Sequence, residues 1–386
     1  MPVPDYQGNS LVNLMSSLGQ AMACQVNDYP LLTSLLPEEI NQKKNIVLFV
    51  IDGLGYEYLI NNAKDSALHR HLRSRITSVF PSTTATAITT FMTGQAPLQH
   101  GLTGWHTYLK ELGCVTAVLP FRPRVGSKGF DNDSIDVHRL YGHTPIFDLI
   151  DRASYVVAPE WIIHSEYNVA HSGSALLHGY NTLSECFQNI EDIIKAEEQP
   201  KYIYAYWPDF DRYSHEFGCT SSRVNNHFAE LDTAFERLLS NIEGSNTSVI
   251  VTADHGFIDT VPDRVIQLSD HPVIQTSLVL PLCGEPRTAY CYVHPDREQQ
   301  FVAYVEREFT EFAELHSSKV LVEKAYFGKG QAHPHFYDRI GHYTLLMKEN
   351  YVLKDILAGE PPFAHIGVHG GTSVQEMYVP LIFANC

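Results

Sequence analysis

No stretch of this chain is long and apolar enough to cross a bilayer; the most hydrophobic run, Ile46 to Ile51, stops at Asp52. The seven cysteines are scattered and odd in number, with no CxxC pair, so neither a disulfide framework nor a cysteine-held zinc is expected. The start, Met1-Pro2-Val3-Pro4-Asp5, lacks a basic segment followed by an apolar one. With reduced thiols, that sets the expectation of a cytoplasmic protein with no membrane partner. Positive charge is scarce as well: 27 Lys and Arg stand against 44 Asp and Glu, a formal charge of −17. Such a balance argues against a nucleic-acid groove. It leaves room for a small phosphorylated substrate where bound cations supply positive charge locally. Internal repeats and low-complexity tracts are absent too.

What remains is an ordinary globular composition, 44% hydrophobic and 18% charged over 386 residues, enough for one large or two ordinary domains. Histidine is abundant at 20 residues, and histidine is both a metal ligand and an acid/base group. Three short apolar runs end at or near acids. Asn45 to Ile51 leads into Asp52-Gly53, and Lys201 to Trp207 leads to Asp211 and His215. Thr247 to Thr252 leads into Asp254-His255-Gly256. Continuous apolar runs of this length suit strands buried on both faces, and open α/β sheets place ligand sites beyond the C-terminal ends of such strands. Asp211 and His215, four residues apart, would both face one ion from a single helical turn or a compact loop.

A fourth stretch, Val79 to Gly94, reads as an extended segment, a turn at Pro81-Ser82 and a helix ending at Gly94. Ser82 or Thr83 is expected to cap that helix, and Gly94 to terminate it in the left-handed region. A threonine hydroxyl, Thr84 or its neighbour Thr83, then lies at the positive end of the helix dipole. His369, flanked by glycines in Val368-His369-Gly370-Gly371, is placed like a ligand on a tight loop.

The coarser organisation is an N-terminal arm (1–44), a core (45–270 and 358–386) and a small α/β subdomain or insertion (271–357). Helices are expected at 182–196, along Phe228 to Ile242 and at 296–315; strands at 154–158, 289–294, 320–325 and 343–347, with one or two more between Trp105 and Phe121. Gln99 to Gly104 reads as a loop, and Phe121 to Asp136 as a lid or a surface excursion. His333, His335 and His342 read as surface histidines, and the 271–357 region shows no obvious chemistry.

Taken in order, Ile51-Asp52-Gly53, Phe80 to Gly94 with His100-Gly101, Asp211 to Gly218, Thr252 to Gly256 and Val368-His369-Gly370 resemble the alkaline phosphatase superfamily. Within it they resemble the nucleotide pyrophosphatase/phosphodiesterase (type I phosphodiesterase) group. The resemblance implies an α/β fold with an alkaline-phosphatase-like core, a mostly parallel central sheet between helix layers, and a small appended α/β subdomain. It implies a metal-dependent hydrolase that cleaves a phosphodiester or pyrophosphate bond of a small substrate, a nucleotide among the candidates. In the family the nucleophile precedes a Thr-Gly helix terminus by a fixed step, so the resemblance, counted back from Thr93-Gly94, implies Thr84 over Thr83 as nucleophile. One divalent ion is assigned to Asp211, His215 and His369, the other to Asp52, Asp254 and His255, with Thr84 between them. Mixed imidazole and carboxylate ligands suit Zn²⁺ best, with Mn²⁺ or Fe as alternatives. An asparagine that the group uses near its nucleophile has no counterpart at Ala87, so Trp105, Tyr108 and Arg122, with His106 and Lys128, are the expected substrate contacts. The rival readings are a phosphomonoesterase, a phosphonate hydrolase or a metal-dependent phosphomutase of the same superfamily, and a metal-bearing binding protein without turnover.

Overall fold

A computed structural model describes residues 2–126, 128–130, 135–196 and 199–386. The three apolar runs become neighbours in one sheet. Asn45–Ile51 is buried at every position and pairs in parallel with Lys201–Trp207 on one side and Thr247–Thr252 on the other. The full order of this seven-stranded sheet is Leu72–Thr77, Tyr378–Asn385, Thr247–Thr252, Asn45–Ile51, Lys201–Trp207, Ala153–Pro159, Leu176–Tyr180. Tyr378–Asn385 alone runs against its neighbours, so the sheet is mixed but mostly parallel. Central strands without an exposed residue require cover on both faces, as in a doubly covered α/β sheet. Part of that cover is Leu183–Lys195, whose Phe187, Ile190 and Ile194 turn inward, with Ser222–Asn241 packed on it.

The N-terminal arm contributes a helix, Leu11–Ala21, capped by a reciprocal Ser10–Asn13 box. Its Leu11, Leu14, Met15 and Leu18 are fully buried in the main core, and it packs against the helix Thr84–Thr93. That second helix ends at Gly94 with φ +73°, as expected of a left-handed terminus. Its start departs from expectation. Thr83 occupies the cap position but its hydroxyl caps nothing; it donates to Glu285 Oε1 at 2.7 Å, while the Ser82 hydroxyl donates to the Gly371 carbonyl.

A second seven-stranded sheet runs Ala313–Ser317, Tyr343–Met347, Thr288–Cys291, Cys283–Glu285, His106–Leu109, Cys114–Ala117, Arg122–Pro123. It therefore draws strands from 106–123 as well as from 271–357. Three expectations depart from the structure here. The helix expected over 296–315 is Glu298–Glu308 only; the chain turns at Phe309 and Phe312, and Ala313–Ser317 pairs antiparallel with Tyr343–Met347 along its whole length. The strand expected over 320–325 is a helix, Ser318–Glu323, anchored by the Ser318 hydroxyl on the Ile340 carbonyl and by buried Leu321. The strand expected over 289–294 ends at Cys291.

The expected loop 99–104 begins inside a short helix, Pro97–His100, whose His100 is fully buried. The 121–136 segment contains the two-residue strand Arg122–Pro123 and a buried Arg124 held by Asp355 and Glu360, while Ser127 and residues 131–134 lie outside the described residues. All seven cysteines are free. Among the described residues no helix is long and apolar enough to cross a membrane.

Candidate active site

The site lies where the central strands end. Past Ile51 the chain turns through Gly53, whose φ of +77° and close approach to Phe257 exclude a side chain. The Gly53 and His255 amides both donate to Asp254 Oδ1 at 3.0 Å, which leaves Oδ2 of that carboxylate facing the site. Tyr206 donates its hydroxyl to Asp52 Oδ2, so Asp52 also presents one oxygen, Oδ1, at 3.3 Å from His255 Nε2. Asp211 sits on the first turn of the helix Asp209–Phe217; its Oδ1 is 3.5 Å from His215 Nε2, 3.8 Å from His369 Nε2 and 3.9 Å from His255 Nε2.

The histidines are oriented from behind. His215 Nδ1 bonds the Gly367 carbonyl at 2.8 Å and His255 Nδ1 the Gly256 carbonyl at 3.0 Å. A carbonyl partner requires N–H on Nδ1, which leaves the Nε2 lone pair of each ring for a ligand. The His369 and His255 rings stack with centroids 3.7 Å apart. Thr84 Oγ1 lies 3.1 Å from His255 Nε2. Thr83, tied to Glu285, faces elsewhere, so of the two threonines only Thr84 reaches the cluster.

The donor set fits divalent cations. Asp52 Oδ1, Asp211 Oδ1 and Asp254 Oδ2 are buried without a hydrogen-bond partner. Two groups have ligand atoms within 4.8 Å of one another, Asp52 with Asp254 and His255, and Asp211 with His255 and His369. Burial, opposed by hydrogen bonds, pushes Asp52 up to about 6. Burial and the Asp52 charge push Asp254 up to about 8, and Asp211 is driven well above the carboxylate range by the same two causes. Burial holds His215 down at about 3 and holds His369 well below its ordinary value, so both rings are neutral and able to ligate. Three converging carboxylates with no buried cation between them are costly unless metal ions take their orphaned oxygens.

All seven expected ligand and nucleophile residues thus come together. His255, expected on one ion only, stands within reach of both groups, and His215 stands just outside the tighter group that holds Asp211.

A cavity of about 760 Å³ opens beside Thr84, Asp52 and Asp211. Its walls include Ile88, Met92, Trp105, Trp161 and Tyr167. Of the five expected substrate contacts, Trp105 lines it and four do not: the Tyr108 ring packs edge-on against Tyr292 at 5.5 Å, His106 lies in the second sheet, and Arg122 and Lys128 are exposed. Ala87 is a fully buried core position and does not line the cavity, unlike Thr84, Ile88 and Met92 of the same helix. Two residues that matter were missed. Tyr206 alternates inside an apolar strand and gives no separate signal. Glu285 lies in the 271–357 region, whose sequence shows no obvious chemistry; burial pushes its carboxyl up to about 7 against the pull of its donors.

A parallel-rich sheet with carboxylate–imidazole groups at its C-terminal edge and a helix-borne hydroxyl among them defines an alkaline-phosphatase-like fold. The family model described as type I phosphodiesterase/nucleotide pyrophosphatase matches residues 46–371, and the chain belongs to that family. It is 25% identical over 254 residues to ectonucleotide pyrophosphatase/phosphodiesterase family member 3 of Rattus norvegicus; the match covers 61% of this chain and 27% of that protein, about a quarter of the relative's length. In structure it resembles murine ectonucleotide pyrophosphatase/phosphodiesterase 5, solved as an inactive variant in complex with AMP, at a TM-score of 0.65 and 16% identity over 88% of this chain and 87% of that one. The human ectonucleotide pyrophosphatase/phosphodiesterase 5 structure compares at 0.62 and 16% over the same shares.

Proposed function

We propose that this protein hydrolyses phosphodiester or pyrophosphate bonds of small substrates, nucleotides being the first class to test, with Thr84 as nucleophile. The observation that carries this reading is the position of Thr84 Oγ1, at a helix N-terminus, 3.1 Å from His255 Nε2 and bordering both ligand groups. Two divalent ions, Zn²⁺ for this donor set, would be held by Asp52, Asp254 and His255 and by Asp211, His215 and His369; when bound they supply Lewis acidity and lower the pKa of an attacking oxygen. Thr84 Oγ1 bonds to phosphorus as the ester or anhydride oxygen leaves, and water then breaks the Thr84–phosphorus bond to regenerate the hydroxyl. The helix start favours the negative charge that gathers on Thr84 and on the phosphoryl oxygens. Relatives support the substrate class: one carries pyrophosphatase/phosphodiesterase in its name, and one binds AMP.

A specific feature favours diesters over monoesters. Among the cavity's described lining residues Arg212 is the one lysine or arginine, and it is paired with Asp209 at 3.0 Å. A diester carries one negative charge where a monoester carries two, so it needs less cationic help beyond the ions. The test is bis-p-nitrophenyl phosphate against p-nitrophenyl phosphate, with metal content measured and Thr84→Ala as control. Diester cleavage lost in the variant, at unchanged metal content, is the expected result. Faster monoester turnover would move the reading to a phosphomonoesterase, and equal turnover by Thr84→Ala would remove Thr84 from the chemistry.

A further inference from the structure

The hairpin Cys283–Glu285 and Thr288–Cys291 belongs to the region whose sequence shows no chemistry, yet it touches the site in three places. Glu285 Oε1 accepts from the Thr83 hydroxyl at 2.7 Å and from the Trp105 amide at 2.6 Å. Thr288 donates its hydroxyl to the Gly370 carbonyl at 2.6 Å, one residue past His369. Arg287, through Glu376, anchors the Gly371 amide. The backbones are pressed together around the carboxylate: a Cβ on Gly370 would fall 2.7 Å from that of Glu285, and one on Gly104 would fall 2.7 Å from the Gly284 Cα. The contact also explains why Thr83 gives up its helix-capping role: its hydroxyl is already committed to Glu285.

We infer that Glu285 is a positioning residue: one buried carboxylate oxygen sets the start of the Thr84 helix and the cavity wall at Trp105 in a fixed relation, so that the nucleophile and the bound substrate meet in register. The inference rests on Thr84 being the nucleophile. Glu285 itself touches no reacting atom; it acts through Thr83 on one side and Trp105 on the other. A displacement of about 1 Å between a nucleophile and its substrate is enough to cost on the order of a hundredfold in rate.

The test uses the full-length, metal-loaded protein. Glu285→Ala is expected to lower kcat on bis-p-nitrophenyl phosphate about tenfold or more with a smaller change in KM, and Glu285→Gln, which keeps the acceptor oxygen, to restore most of the loss. Thr83→Val, a gentler change, is expected to lower kcat in the same sense, and adding it to Glu285→Ala is expected to cost little more. A readout independent of turnover is acrylamide quenching of tryptophan in a Trp161→Phe background. There Trp207 is buried and Trp105 supplies the accessible signal, which Glu285→Ala should raise. Full kcat in either Glu285→Ala or Thr83→Val overturns the inference, as does a Glu285→Gln variant as slow as Glu285→Ala. If Glu285→Ala does not fold, Thr83→Val and Glu285→Gln decide it. If the wild type cleaves no diester, the reading of Thr84 fails, whereas unchanged quenching rejects the Glu285 tether in its own right.

Discussion

Removing Glu376 should cripple the protein out of proportion to the size of the change. Arg287 and Glu376 form a two-pronged pair, with Nε and Nη2 each 2.8 Å from a carboxylate oxygen, and their side chains are 1% and 0% exposed. Burial would raise the Glu376 carboxyl, but the Arg287 charge and hydrogen bonds outweigh it and hold it below the usual range. Glu376→Ala leaves a guanidinium buried and unpaired, a loss of about 3–5 kcal/mol. In a chain of this size that is a fall of about 4–6 °C in melting temperature. The Gly371 amide loses its 2.8 Å acceptor in the same step, loosening the loop that carries His369. A double change, Arg287→Met with Glu376→Leu, removes both charges and should recover most of the melting temperature while leaving Gly371 unanchored. Metal affinity should therefore stay depressed in the double variant although stability returns. Differential scanning fluorimetry and metal titration of the three proteins check this. A Glu376→Ala protein melting with the wild type, or a double variant with wild-type metal affinity, would refute the reasoning.

Chelation should make stability depend on pH. Without ions, Asp254 and Asp52 ionise near 8 and 6 in the folded chain against 3.8 unfolded, so the native state binds more protons than the unfolded state across that window. Stability of the chelated protein should then fall as pH rises from about 4 to about 8, and added divalent ion should abolish the slope; a flat melting temperature with EDTA would contradict it. Gly256→Ala would bring a Cβ to 2.0 Å from the Gln375 carbonyl, so a destabilisation of about 1–3 kcal/mol and displacement of His255 are expected, read by urea unfolding and metal content. His215→Ala should lower the metal content, measured by elemental analysis, while an unchanged metal count would remove His215 from the ligand set.

The parts of the fold that were legible in the sequence are those where burial leaves no choice. Asn45–Ile51 and Lys201–Trp207 are apolar at nearly every position and Thr247–Thr252 has an apolar centre, Val249 to Val251, because these strands are covered on both faces, and the acids that follow them stand out for that reason. The second sheet was harder to read because its strands are short, two to five residues each. Phe309 and Phe312 extend the apolar face of Glu298–Glu308 in the sequence, yet strand pairing with Tyr343–Met347 captures the next residues. Val320 and Val322 favour a strand locally, and the tertiary anchor of Ser318 overrides them. At the site the metal-binding residue types were visible, being unusual at those positions. Glu285 was not, because nothing local distinguishes a buried carboxylate from a solvated one: its donors, Thr83 and Trp105, lie about 200 and 180 residues away in the chain.

That separation bears on how the molecule comes to life. Asp52, Asp211 and Asp254 ride on or just beyond strands that are adjacent in space but far apart in sequence, and Thr247–Thr252 is flanked by Tyr378–Asn385, near the end of the chain. Long-range parallel pairing is slow to nucleate, because the loops between partners must close before any contact rewards them. An ion therefore finds its complete set of donors only after the sheet has assembled across nearly the whole polypeptide. Metal uptake in a refolding experiment should lag the first burst of helix formation and coincide with the final consolidation of the sheet, so that the ion acts as a late lock on a finished fold and not as a template for it.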